Sequence, residues 1–101
     1  HITGGGFDEN IPRMLGENQK AIIEHDFDDW PCGKYFKWLM ETTGIPKENL
    51  VNTFNCGVGL IISVNKSNEE DVLGALNQSL FAKTIGKIQE KGPNEPQVSY
   101  V

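Results

Sequence analysis

The chain has 101 residues, with 9 Lys+Arg against 14 Asp+Glu and a net charge of −5. One domain with a real core fits this length, since such a chain buries roughly two-thirds of its unfolded surface. The acidic balance argues against a nucleic-acid or anionic-membrane module, because both need a basic face. Hydrophobic content of 38% is ordinary globular usage. No apolar run approaches the roughly 18 residues of a membrane helix, and the glycine-rich start is unlike a signal peptide.

In chain order, His1-Ile2-Thr3 reads as the end of a strand and Gly4-Gly5-Gly6 as the turn after it. A glycine turn normally follows an element, and the chain starts at His1 rather than Met; both suggest a C-terminal piece of something longer. Asp8 or Asn10 can cap a short helix running through Leu15, with Pro12 tolerated in its first turn. Gln19–His25 carries Ala21, Ile22 and Ile23 and reads as a strand. An acidic loop, Asp26-Phe27-Asp28-Asp29, follows.

Pro31 opens a helix to Thr43, with Cys32, Tyr35, Phe36, Leu39 and Met40 at helical spacing and Trp38 widening the stripe. Gly44 and Pro46 end it. Lys47–Asn52 reads as another short helix. Val58–Val64 is apolar on both faces and predicts a central strand, with Val58, Leu60, Ile62 and Trp38 nearly fully buried. Ser67 and Glu70 have capping-box spacing ahead of Val72, Leu73, Leu76 and Leu80. Phe81–Gln89 reads as a strand, Gly92–Pro96 as a turn-rich linker and Gln97–Val101 as an edge strand. The order predicts an α/β (α+β) fold, helices packed on a mixed sheet.

The glycine triplet is the first candidate for chemistry. Without side chains its N–H groups can approach an anion, and the helix behind it adds a positive dipole end. Thr3, Asn10 and Arg13 are near enough to add donors, although the spacing is neither a Walker loop nor a dinucleotide fingerprint. A tight turn without ligand is the plainer reading. Asn55, at the mouth of the Val58–Val64 run, either bonds substrate or fixes its turn. Cys56 beside Gly57 would be a nucleophile only with a base at hand, and a small buried thiol is favoured. Cys32 and Cys56 read as reduced, partly buried cytosolic thiols rather than a disulfide framework. Glu24, Asp26, Asp28 and Asp29 lack calcium-loop spacing, and His1, His25, Cys32 and Cys56 lack zinc spacing. No metal site is expected among them. The aromatics Trp30, Tyr35, Phe36 and Trp38 are expected to pack in the core, because few basic residues interleave with them.

Four blocks carry a family resemblance. They are His1-Ile2-Thr3-Gly4-Gly5-Gly6-Phe7 with Glu9-Asn10-Ile11-Pro12-Arg13; Trp30 with Phe36-Lys37-Trp38-Leu39; Thr53-Phe54-Asn55-Cys56-Gly57-Val58-Gly59; and Ala82 with Ile85-Gly86-Lys87-Ile88. In this order they resemble the C-terminal domain of the phosphoribosylformylglycinamidine cyclo-ligases, or aminoimidazole ribonucleotide synthetases. Asn52 stands where that family often has an arginine. The resemblance implies that 1–101 is a single C-terminal domain of a longer cytoplasmic, homodimeric enzyme of purine biosynthesis. It implies that ATP and magnesium are bound mainly by an N-terminal domain, and that the substrate is formylglycinamidine ribonucleotide. ATP would phosphorylate the formyl amide oxygen, a substrate nitrogen would attack, and loss of phosphate would close the imidazole ring. Gly4, Gly5 and Gly6 would hold a phosphate, supported by Thr3, Asn10 and Arg13. His1 and Asn55 would face the cleft between domains. A non-catalytic binding or regulatory domain of the same fold is the alternative.

Overall fold

The computed structural model describes residues 1–24 and 32–101. The elements in chain order are α1 (Gly6–Asn10), a 3-10 turn (Ile11–Met14), β1 (Gln19–Ile23), α2 (Gly33–Thr43), α3 (Lys47–Thr53), a second 3-10 turn (Lys66–Asn68), α4 (Glu69–Leu76), β2 (Gly86–Glu90) and β3 (Val98–Tyr100). The result is the expected α+β arrangement around a small mixed sheet.

The sheet has the order β2-β1-β3. β1 runs antiparallel to β2, with Ala21 opposite Ile88, and parallel to β3, with Ala21 opposite Val98. Bonded on both edges, β1 is the central strand, and Lys20, Ala21 and Ile23 are buried on it. Lys20 is kept below the surface by an ion pair with Glu95, whose carboxylate also accepts the Gly92 N–H (2.8 Å) and so fixes the following turn. β3 is the edge strand expected near the C-terminus, and β2 occupies only the second half of the expected Phe81–Gln89 strand.

The core gathers Ile2, Phe7, Ile11, Ala21, Ile23, Leu50, Val51, Cys56 and Val98. α1 lies directly on α3. Gly6, at φ 61°, sits against the Val51 carbonyl so closely that any Cβ would strike backbone. That approach lets Phe7 pack with Leu50 and Val51, all three at most 1% exposed.

Several expectations need correction. Val58–Val64 is not a strand. Among the described residues its one backbone contact to another element is Gly59 C=O accepting the Ile2 N–H (3.0 Å). Lacking a partner on either edge, it leaves Leu60 and Ile62 more than half exposed, while Val58 and Ile61 pack on the core. Trp38 is 61% exposed, because α2 turns Phe36, Leu39 and Met40 inward and Tyr35 and Trp38 outward. His1–Thr3 is likewise not a strand. The first helix starts at Gly6, so Asp8 and Asn10 lie inside it rather than capping it. The Ser67–Glu70 capping box does not form, since α4 begins at Glu69 after a 3-10 turn and has no side-chain cap. The Glu69 carboxylate instead accepts the Thr84 hydroxyl (2.7 Å). α2 stops at Gly44 (φ 71°), and α3 spans Lys47–Thr53, both as expected. His25, the acidic loop Asp26–Asp29, Trp30 and Pro31 lie outside the described residues.

Candidate functional site

A cleft of ≈ 360 Å³ opens beside the glycine turn. His1, Thr3, Asn10 and Arg13 give it a polar side, and Ile2, Ile11, Met14 and Ile61 an apolar one. The fold thus brings together four of the candidate residues, drawn from the turn, α1 and the 3-10 turn after it. Arg13 is exposed and has no ion-pair partner among the described residues, so its guanidinium is available to an anion.

Asn10 is 6% exposed and turns its amide back into the loop. Its Nδ2 donates to the Gly6 carbonyl (2.7 Å) and reaches those of Thr3 and Gly4 (3.3 Å each), while its Oδ1 accepts from the Thr3 hydroxyl (3.3 Å). With both N–H groups committed, Asn10 holds the shape of the turn rather than offering a donor to the cleft. Its position explains this. Phe7, Asn10 and Ile11 share the buried face of the helical turn, and an amide there must bond inward.

The glycine amides divide. Gly6 N–H donates to the Thr3 carbonyl (3.0 Å), whereas no protein acceptor for Gly4 or Gly5 N–H occurs among the described residues. Gly5 has φ 90°, and the Glu9 carboxylate folds against it. Asp8, on the same helix, accepts the Tyr100 hydroxyl (2.6 Å), which ties β3 to α1. Burial and this hydrogen bond push the Tyr100 phenol well above its ordinary range. No local signal points to this contact, for nothing local links residues 92 positions apart. Nor is the apolar wall of the cleft visible in the sequence, because Ile61 arrives there from the run expected to be a central strand.

Asn55 does not line the cleft. Its Oδ1 accepts the Gly57 N–H (2.9 Å) and its carbonyl accepts the Val58 N–H (2.9 Å). Between them Cys56 takes φ 54° and Gly57 φ 89°. Asn55 therefore fixes the turn that drops Cys56 into the core. Burial pushes the Cys56 thiol up to about 11, partly offset by the charge of Lys47. A thiol so disposed is a poor nucleophile at neutral pH. Cys32 is half-buried.

An imidazole, a hydroxyl, a guanidinium and two amides suit phosphate oxygens. They do not suit magnesium, which asks for carboxylates, and no group of three His, Cys, Asp or Glu side chains comes together among the described residues. No described helix is long and apolar enough to cross a membrane.

The sequence model of one family, described as AIR synthase related protein, C-terminal domain, matches residues 1–99. The match runs from the glycine turn into β3 and takes in the cleft, both cysteines, β1, β2 and all of β3 but Tyr100. Proteins of this superfamily include ATP-using ligases of the purine-biosynthesis type. The chain belongs to the AIR synthase related C-terminal domain family.

Proposed function

We propose that this domain is the C-terminal part of a cytoplasmic phosphoribosylformylglycinamidine cyclo-ligase, and that its cleft holds a phosphate of the substrate or of ATP. The observation that supports this most is one cleft lined by His1, Thr3 and Arg13, with no ion-pair partner for Arg13 among the described residues, beside a glycine turn whose Gly4 and Gly5 amides have no acceptor among them. Ring closure with loss of phosphate needs a fixed pose and neutralised phosphate charge. In this reading Arg13 supplies the charge, the Gly4 and Gly5 amides supply direction, and Thr3, bonded to Asn10, supports the turn with it from behind. The apolar wall of Ile2, Ile11, Met14 and Ile61 keeps water from one side. In this reading ATP and its magnesium are held mainly by an N-terminal domain, and the chain alone is expected to have no cyclo-ligase activity. The whole enzyme is taken to be a homodimer acting on formylglycinamidine ribonucleotide.

A second reading has its own support. The Glu9 carboxylate against Gly5 and the internal bond of Gly6 N–H suit a purely structural turn in a non-catalytic domain. Calorimetry separates the two. The first reading expects ribose 5-phosphate to bind near the millimolar range, about −4 kcal/mol, with binding lost in Arg13→Ala. Absence of binding, or binding unchanged by Arg13→Ala, favours the structural turn. Micromolar, magnesium-dependent ATP binding would contradict placing the nucleotide site in another domain.

A further inference from the structure

The first turn of α1 carries two acids, Asp8 and Glu9, beside the glycine turn. Gly5 is the N-cap of that helix and Asp8 is its third residue. That is the position from which a side chain reaches back to the N-cap N–H in a capping box. Gly5 N–H nevertheless has no acceptor among the described residues. The Asp8 carboxylate is engaged elsewhere, because its Oδ1 accepts the Tyr100 hydroxyl (2.6 Å). Tyr100 is itself well anchored. It lies opposite Ile23 of the central strand, the Val101 N–H beyond it donates to the Ile23 carbonyl (3.0 Å), and its ring packs on the core. The Glu9 carboxylate lies against Gly5, but no hydrogen bond joins it to either open amide. Asp8 falls between the two parts of the first resemblance block, and Tyr100 lies past residues 1–99 of the family match.

We propose that Tyr100 is a positioning residue for the anion site: its hydroxyl holds the Asp8 carboxylate at the end of β3 and so keeps the Gly5 N–H open to a phosphate oxygen. This role rests on the phosphate reading above. Once released, Asp8 is a tethered anion three residues from Gly5, and it competes with the ligand in two ways. It caps the N–H that would otherwise bond phosphate, and its charge repels the incoming anion. Tethering makes the competition effective, because the carboxylate meets the amide within one helical turn and gives up no translational freedom. Burial, the bond to Asp8 and the charge of that carboxylate hold the phenol well above its ordinary range, so the donor persists at neutral pH.

Amide NMR titration of the full chain with inorganic phosphate tests the role. Tyr100→Phe removes the hydroxyl and keeps the ring. It is expected to weaken phosphate binding about fivefold or more, the worth of one hydrogen bond. Without phosphate, its Gly5 amide is expected to exchange more slowly with solvent, because Asp8 now caps it. Asp8→Ala removes the competitor and is expected to bind at least as tightly as the parent. Tyr100→Phe/Asp8→Ala is therefore expected to return to within about twofold of the parent. A Tyr100 that merely packs would leave that double variant weak, since loss of Asp8 cannot restore packing. Unchanged amide shifts in β1 and α3 show that each variant keeps the fold. Parent binding that Tyr100→Phe leaves unchanged, or that the double variant fails to restore, would overturn the positioning role and leave the phosphate reading standing. Absence of Arg13-dependent binding in the parent would overturn that reading and the role with it.

Discussion

Residues 2–11 and residues 58–65 are both short, apolar and interrupted by glycine, yet the fold treats them in opposite ways. In the first, Ile2, Phe7 and Ile11 are at most 5% exposed. In the second, Leu60, Ile62 and Val64 face outward although the run is the more hydrophobic of the two. The difference is in what each backbone meets. Gly6 allows α1 to press on α3, and Asn10 satisfies the carbonyls that the glycine turn would otherwise leave bare. Past Gly59 the second run meets no strand among the described residues and packs on the core only through Ile61. Hydropathy makes burial favourable, but a backbone partner decides whether an extended segment achieves it.

Substitutions can break this contrast. The largest effect is expected at Gly6→Ala, where the new Cβ strikes the Val51 carbonyl at a positive φ. Separation of α1 from α3 should cost about 4 kcal/mol or more in a denaturant titration. Gly4→Ala meets nothing within 4 Å and should stay within about 0.5 kcal/mol of the parent. Equal effects at the two glycines would show that the turn, not the α1–α3 contact, sets the cost.

Phe7→Ala comes next, at about 3–5 kcal/mol for a side chain with no exposure. Alkaline pH should act on the same core. The Cys56 thiol is raised from 9.0 to about 11, so the folded form holds its proton after the unfolded form has lost it. Stability is therefore fully present below about pH 9 and falls between pH 9 and 11, by about 2–3 kcal/mol. The raised Tyr100 phenol acts in the same direction from about pH 10 upward, where the unfolded phenol begins to ionise. A denaturation midpoint equal at pH 8 and pH 10.5 would contradict the burial of Cys56. Ile62→Ala should have the smallest effect, within about 0.5 kcal/mol. A loss of about 2 kcal/mol or more would mean that the 58–65 run is paired within the chain after all.

Local signals carry the elements that neighbours in sequence determine: Gly44 and Pro46 separate α2 from α3, and Ala21-Ile22-Ile23 lies in β1. The C-terminal edge strand was also legible, although its place is set by pairing with the distant β1. Legibility failed where the outcome depends on a distant partner. Val58–Val64 has strand composition and no strand to pair with. Trp38 has helical spacing but falls on the outer face of α2. Ser67 and Glu70 have the right separation, yet the helix starts between them. In the candidate site, spacing was enough to group Thr3, Asn10 and Arg13 near the glycines. It left open whether Asn55 bonds substrate or fixes its turn, as it does through Gly57, and it could not reveal that Asn10 spends its donors on the turn or that Tyr100 reaches Asp8.

The claim that the well-packed half of the molecule carries the anion site is tested most directly by an amide NMR titration of the full chain with inorganic phosphate. The account predicts saturable shifts at the Thr3, Gly4 and Gly5 amides and at the Arg13 side chain, absent in Arg13→Ala, with the amides of Leu60–Val64 and α4 unmoved. Shifts confined to α4 or to Leu60–Val64, or none at the glycine amides up to tens of millimolar phosphate, would contradict it.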